Sequence, residues 1–306
     1  NYLLNIDIPN CPLNLELTEQ QGKSVKKRIS NLEVLNATTE KLVEEHHIDR
    51  IIGQVKSKIY KYCQDEGVCY LQSGYKNLDG GHFTGLKIRK LENGRYAISC
   101  INHGAGIEYH RKIAISGSKT KYSYQSDEYE IDIRSNSGEE FLQRILELCY
   151  DDKQKPGSEK ITNPYSAEDL YGLLKLYGTQ LPSPTPQVMD EKSVTPQRTG
   201  TCTITNIHAV ARDILIDNEA DFKKRKRYHF IIKLRSLIAA FNEYRTLNSD
   251  YTIPIMEGAL NEFSVRINKQ YRSILNDDEI IYCAELQAQI KERLEKDKES
   301  AIKLKC

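Results

Sequence analysis

The spacing of apolar residues predicts a long helix in the first quarter of the chain, from about Thr38 to Tyr62. Its apolar positions recur at helical spacing: Leu42, Val43, Ile51, Ile52, Val55 and Ile59. Ahead of this helix, Pro9 and Pro12 interrupt any regular element, because proline cannot continue a helix or a central strand. We therefore expect the first 36 residues to be mixed in structure.

At Gly67 the pattern changes from helical spacing to alternation, which is typical of strands. Strands are predicted at Val68–Ser73, His82–Leu91, Arg95–Asn102 and Tyr129–Ile133. Helices are predicted at about Glu139–Cys149 and from Ser166 to about Tyr177. Ser166 is a suitable N-cap there, and Asp169 stands where a capping box needs it.

The last third of the chain favours helices. Leu181–Gln197 is a loop rich in Pro and Ser, and a helix is then expected to begin at Cys202. Its apolar stripe comprises Ile204, Ile207, Val210, Ala211, Ile214 and Leu215. Further helices are predicted at about Phe222–Tyr244, around Leu260, Phe263, Ile267 and Tyr271, and from near Asn276 to Lys303. The fold class is therefore α+β, with a central mixed or antiparallel sheet and large helical additions.

Composition and charge exclude several classes of protein. The chain has 306 residues with 44 Lys and Arg against 43 Asp and Glu, a net charge of +1. Bulk charge therefore does not favour a nucleic-acid partner. No apolar run approaches the roughly 18 residues of a membrane span. The first residues also lack the basic segment and apolar core of a secretory signal peptide.

The eight cysteines show no regular disulfide framework. The closest pair, Cys63 and Cys69, is too widely spaced for a CxxC zinc site, and no second pair completes one. We expect no metal or cofactor, a reducing compartment, and one activated thiol rather than a disulfide scaffold.

The pattern from Gly80 to Asn102 predicts a β-hairpin around an Asn-Gly turn. A two-residue turn on Asn93-Gly94 sets Ile88 opposite Ser99. A three-residue loop, with Gly94 left-handed, sets Ile88 opposite Ile98 and Leu86 opposite Cys100. The second register collects the apolar side chains on one face, so we prefer it.

This register puts His82 and Asn102 on the same face as diagonal neighbours, roughly 7–8 Å apart between backbones. An amide beside an imidazole can orient a catalytic histidine. The same pair can equally be a satisfied polar contact at a sheet edge. Should the register be wrong, Glu108 is the substitute partner. His103 and His110, beside Asn102, can contact substrate or be ordinary polar residues of the loop.

Cys202 follows a long loop that ends in Thr199-Gly-Thr. It is the first residue of the predicted helix with the apolar stripe. Backbone N–H groups and the helix dipole at such a position favour a thiolate. Gln197, five residues earlier, can supply an oxyanion donor. The alternative is that Cys202 is a small apolar residue in a first helical turn.

The order His82, Asn102, Gln197, Cys202, with four residues between Gln and Cys, resembles the ubiquitin-like-protein-specific cysteine proteases of clan CE. Phe83 stands where that clan often has an aromatic residue. The resemblance spans about residues 68–216. Thr201 and Thr203 replace the acidic residue and glycine that usually flank the nucleophile, and Asn102 replaces the commoner Asp.

The resemblance implies a catalytic core at 67–216 with an insertion at about 138–190, an N-terminal helical extension at 1–66 and a C-terminal helical subdomain at 217–306. It implies a thiol protease that removes ubiquitin or a ubiquitin-like modifier from host proteins. His82 would be the base, Asn102 its orienter and Cys202 the nucleophile. The divergence is most similar to bacterial effectors secreted into the host cell cytoplasm.

Two other functions remain open. In one branch of the clan the same triad transfers acetyl groups to Ser, Thr or Lys. The chain can also be a non-enzymatic helical adaptor. The basic run Lys223–Arg227 is a possible site for an anionic lipid or an inositol phosphate, although a solvated helix face explains it more simply.

Overall fold

The computed structural model describes residues 19–44, 48–75, 82–116, 119–150, 165–182, 193–194, 209–215, 221–247 and 252–303. The chain divides into two compact units, which are described separately. One comprises residues 26–211, and the other comprises residues 1–25 together with 212–306. The three-part division expected from the sequence stays a prediction.

The unit formed by residues 26–211 is built on two antiparallel sheets. In chain order its strands are β1 Val68–Tyr75, β2 His82–Lys90, β3 Tyr96–Ile101, β4 Lys112–Ser116, β5 Lys119–Ser123, β6 Tyr129–Ile131, β7 Thr179–Gln180 and β8 Ser193–Val194. The five-stranded sheet has the order β1-β2-β3-β6-β7, and β4-β5-β8 forms the smaller sheet. The α+β class is confirmed, and the paired strands are all antiparallel.

The four strands expected from alternation are present, whereas β4, β5, β7 and β8 were not predicted. β7 and β8 have two residues each, too few to show any period. β5 reads Lys-Thr-Lys-Tyr-Ser, with one large apolar side chain. Such strands are specified by the neighbour with which they pair, because their own alternation is too weak to mark a buried face.

The helices of this unit are α2 Ile48–Glu66, α3 Asn136–Tyr150 and α4 Ala167–Tyr177, together with most of α1 Glu19–Glu44 and the start of α5, residues 209–215. The expectation of mixed structure is wrong for residues 19–36, because α1 begins at Glu19; residues 1–18 lie outside the described residues. Both prolines lie upstream of α1. Its few buried positions, such as Val25 and Leu35, leave an apolar signal too sparse to predict a helix. The capping box of Ser166 and Asp169 on α4 is confirmed.

The preferred hairpin register is also confirmed. Ile88 lies opposite Ile98 and Leu86 opposite Cys100. Gly94 has a φ of 78°, the left-handed conformation that the three-residue loop requires. The face bearing these four apolar residues is covered by α2, α3 and α4 and forms the core.

The other unit contains α6 Phe222–Leu247, α7 Thr252–Arg266 with a π-helical turn Ile267–Tyr271, and α8 Asp277–Lys303. These helices confirm the predicted ones. Phe230 packs on Phe263 and Tyr271, with ring centroids 5.5 and 4.9 Å away. Asn276 caps α8 by accepting the Glu279 N–H at 2.9 Å.

The basic run begins α6, where a positive charge opposes the helix dipole. Asp221 offsets this at the N-cap, since its Oδ1 accepts the N–H groups of Lys223 and Lys224 at 2.7 and 3.1 Å. Arg227 points into the unit and pairs with the buried carboxylate of Glu279. In the described part of the chain, no helix is both long and apolar enough to cross a membrane.

Candidate functional site

The hairpin brings His82 and Asn102 into direct contact. His82 is the first residue of β2, and Asn102 follows the last residue of β3. The confirmed register puts both side chains on the core face, at the end where α4 covers it. Nε2 of His82 lies 2.9 Å from Oδ1 of Asn102. The sequence argument therefore located this pair correctly.

Asn102 is fully buried and its amide orientation is determined by its neighbours. Its Nδ2 donates to the Ala105 carbonyl at 2.7 Å and to the Tyr171 hydroxyl at 3.1 Å. Its Oδ1 accepts the Gly104 N–H at 2.9 Å. The amide oxygen, which can only accept, is therefore the atom facing His82. It follows that His82 carries its proton on Nε2.

His82 is half-buried, and Nδ1 is its unprotonated nitrogen. In the residues that the structure describes, Nδ1 has no hydrogen-bond partner. Burial lowers the pKa of His82, and this effect outweighs the hydrogen bond to Asn102 and the charge of Glu108, which both raise it. The ring is flanked by Tyr75, with centroids 5.6 Å apart. His82 is thus a neutral imidazole near neutral pH, held at one nitrogen and able to accept a proton at the other.

The other polar residues of this loop have different surroundings. Glu108 lies exposed in the 3₁₀ turn Ile107–Tyr109 and forms no hydrogen bond with His82, so Asn102 rather than Glu108 is the partner. His103 is half-buried. His110 is buried and bonded at both nitrogens, to the Ser123 carbonyl at 2.8 Å and to the Tyr171 hydroxyl at 2.6 Å. It therefore belongs to the core and is not free to contact a substrate.

Tyr171 is the member of the site that sequence reasoning missed. It lies on the buried face of α4, and its ring stacks on Tyr109 at 4.9 Å between centroids. In the sequence, Tyr171 is an aromatic residue at a position where an amphipathic helix is expected to bury its side chain. Nothing in that pattern signals that its hydroxyl meets Asn102.

Gln197 and Cys202 lie outside the described residues, so the structure does not place the expected oxyanion donor and nucleophile. Among the cysteines it does describe, Cys63, Cys69, Cys100 and Cys283 are buried. Burial raises the pKa of the Cys100 thiol to about 11. The half-buried Cys149 directs its thiol to the Gly74 carbonyl at 3.4 Å. In the described residues, no three His, Cys, Asp or Glu side chains are grouped to hold a metal ion.

No protein-family model matches the chain, and neither the curated proteins nor the solved structures gave a significant match. What the fold and the site define is an α+β protein with an oriented His–Asn pair at one end of an antiparallel sheet. Membership of the protease clan stays a prediction.

Proposed function

We propose that the chain is a cysteine-dependent acyl hydrolase in which His82 is the base, Asn102 its orienter and Cys202 the nucleophile. One observation carries the proposal: the 2.9 Å contact that holds His82 by Nε2 and leaves Nδ1 as the proton acceptor. Thiol hydrolases need an imidazole fixed in one tautomer by a third group, and Asn is one of the residues that serves in this role.

In the proposed reaction, Nδ1 of His82 takes the proton from the Cys202 thiol, and the sulfur attacks a substrate carbonyl. The Gln197 amide and the Cys202 N–H would hold the oxyanion. The imidazolium then returns its proton to the leaving amine as the C–N bond breaks. Water, deprotonated by His82, attacks the thioester, and the acid product and free thiol are released.

The described cysteines support this choice of nucleophile. A reactive thiol must be accessible and readily ionised. Four of the described thiols are buried, and the remaining one is engaged with the Gly74 carbonyl. Cys202 remains the cysteine whose sequence context, a Gly-containing loop before a helix, favours a thiolate.

The packing of α5 sets a geometric requirement for the proposal. Val210 lies against Gly85 of β2 so closely that a Cβ built on Gly85 would meet Val210 Cγ2 at 2.8 Å. His82 lies three residues before Gly85 in the same strand. Gly85 and His82 face opposite sides of the sheet. Val210 therefore lies on the side of β2 away from the His82 side chain, and the proposal requires Cys202 and His82 to meet at the end where β2 begins.

The substrate follows from the resemblance. The best candidate is an isopeptide or peptide bond after the C-terminal Gly-Gly of ubiquitin or a ubiquitin-like protein. The acetyltransferase and adaptor functions stay predictions, because no contact in the described residues favours them. The anionic ligand at Lys223–Arg227 also stays a prediction.

Covalent capture tests the proposal. Probes of ubiquitin and its relatives that end in an electrophile are incubated with the protein and with Cys202→Ala, His82→Ala and Cys149→Ala. We expect a shifted band that is lost in Cys202→Ala, strongly reduced in His82→Ala and unchanged in Cys149→Ala. Cys149 is the control because it is the one described cysteine that is only half-buried. A band that persists in Cys202→Ala would contradict the choice of nucleophile.

Iodoacetamide tests the catalytic pair without assuming a substrate. Because His82 would stabilise the thiolate, we expect Cys202 alkylation at pH 6 to slow by about tenfold or more in His82→Ala. Equal alkylation rates in both proteins would exclude the Cys202–His82 pair and with it both enzymatic functions. The adaptor alternative additionally requires Cys202→Ala to retain full biological function.

A further inference from the structure

A continuous chain of hydrogen bonds runs from the core to His82, and every donor in it is determined. It begins at the Ser123 carbonyl, which lies 2.8 Å from Nδ1 of His110. A carbonyl can only accept, so Nδ1 of His110 carries a proton. His110 is buried, and burial lowers its pKa to about 4. The ring is therefore neutral near pH 7, and its Nε2 is an acceptor.

The next step passes through Tyr171. Its hydroxyl lies 2.6 Å from Nε2 of His110, and it must donate because that nitrogen has no proton. Burial raises the pKa of Tyr171, so the phenol keeps its proton. The hydroxyl oxygen then accepts from Nδ2 of Asn102 at 3.1 Å. This contact forces the opposite end of the amide, Oδ1, toward Nε2 of His82.

Two kinds of contact hold the Asn102 amide. The Ala105 carbonyl and the Gly104 N–H are close in sequence and belong to the loop that Asn102 itself begins. The Tyr171 hydroxyl comes from α4 and is held in turn by His110. The Tyr171 ring stacks on Tyr109 at 4.9 Å and meets His110 edge-on at 5.3 Å, which restricts its rotation. The loop contacts do not fix the amide relative to the core, because the loop can move together with Asn102. The hydrogen bond from Asn102 to Tyr171 does fix it, because Tyr171 is part of the core.

We propose that Tyr171 and His110 are positioning residues for His82: through Asn102 they keep the histidine proton on Nε2 and the lone pair on Nδ1. As a contribution to catalysis the inference rests on the proposed function. As a statement about the tautomer of His82 it can be tested without any substrate. The proposal is based on the donor-to-acceptor direction of these hydrogen bonds. Reversing any one of them would leave two acceptors or two donors facing each other in a buried site.

Two-bond proton–nitrogen NMR of histidine-labelled protein reports which ring nitrogen carries the proton. The His82 and His110 signals are assigned by their loss in His82→Ala and His110→Gln. In the unaltered protein we expect His82 to be protonated on Nε2 and His110 on Nδ1. In Tyr171→Phe, which deletes only the hydroxyl, we expect His82 to show a mixture of tautomers. Tyr96→Phe is the control, because Tyr96 is also buried but takes no part in this chain of hydrogen bonds.

Substitutions at His110 separate hydrogen bonding from packing. Gln can donate to the Ser123 carbonyl and accept from Tyr171, so His110→Gln should preserve the His82 tautomer. His110→Leu fills the space without either bond and should give the same mixture as Tyr171→Phe. Thermal melts confirm that each variant is folded before its spectrum is compared. A single Nε2–H tautomer at His82 in both Tyr171→Phe and His110→Leu would overturn the inference.

Iodoacetamide kinetics connect the tautomer to reactivity. We expect Cys202 alkylation at pH 6 to fall severalfold in Tyr171→Phe and His110→Leu and to be restored in His110→Gln. If the His82 tautomer changes but Cys202 reacts equally fast in His82→Ala, the positioning inference stands and the proposed function fails. If Cys202 depends on His82 but the tautomer is unaffected, the proposed function stands and the positioning inference fails.

Discussion

His110 is a titratable side chain whose neutral form the fold requires. Both of its nitrogens are engaged in the core, one donating to the Ser123 carbonyl and one accepting from Tyr171. Protonation would turn the accepting nitrogen into a second donor, facing the Tyr171 hydroxyl. Burial lowers the pKa of His110 to about 4 from an ordinary value of 6.5. The stability of the fold therefore depends on pH at this residue.

The sign of that dependence follows from proton binding. Between pH 6.5 and pH 4 the unfolded chain binds a proton at this position and the folded protein does not. The free energy of unfolding therefore decreases as the pH falls through this range, by about 3 kcal/mol in total. Urea denaturation of the unaltered protein and of His110→Gln, which does not titrate, should show this difference in pH dependence. Identical pH profiles for the two proteins would contradict it.

At the scale of elements, the segment between β3 and β4 determines the site as much as the strands do. Asn102 follows the last residue of β3, and the chain then turns through Gly104 and Gly106 into the 3₁₀ turn. Gly106 has a φ of 87°. A Cβ on Gly106 would lie 2.7 Å from Ala167 Cβ and 3.1 Å from Tyr171 Cε2. The loop can approach α4 this closely only because residue 106 has no side chain.

We expect Gly106→Ala to destabilise the protein by at least about 2 kcal/mol, because the left-handed backbone is strained for alanine and the methyl group displaces α4. Gly67→Ala is the matched control. Gly67 also has a positive φ, 72°, but nothing lies within 4 Å of a Cβ built there. Its substitution should cost about 1 kcal/mol. Chemical denaturation measures both, and equal losses would show that packing against α4 is unimportant.

At the scale of the whole molecule, the folding unit around the site includes a helix that precedes the sheet in sequence. Helix α2 contributes Ile51, Val55, Ile59 and Cys63 to the core beneath the five-stranded sheet, all 1 % exposed or less. These side chains are as much part of that core as the strands. The compact unit that contains His82 accordingly extends back to residue 26.

We predict that a fragment of residues 26–211 folds and that a fragment of residues 67–216 does not. Removing α2 exposes several core side chains, each worth about 1.5–3 kcal/mol, and their sum is comparable to the stability of a whole domain. Circular dichroism and urea denaturation of the two fragments test this. A cooperative transition in the shorter fragment would favour the boundary at residue 67.

The sequence by itself determined much of the local architecture. Alternating apolar residues and a glycine suited to a left-handed turn specified the hairpin register, and the register alone placed His82 beside Asn102. Apolar spacing and capping residues located most of the described helices. These signals suffice because strand pairing across a tight turn and helix formation depend on residues close in sequence.

Only the tertiary structure decided what surrounds that pair. Tyr171 reaches Asn102 across 69 residues and His110 across 61. The amphipathic pattern of α4 shows which side of the helix is buried, but it does not show which element that side meets. Helix α1 and the short strands were not predicted for a related reason. They have few apolar positions, and those positions pack against other elements only in the folded chain. Local patterns specify faces and turns, whereas contacts between distant elements depend on how all of those faces pack together.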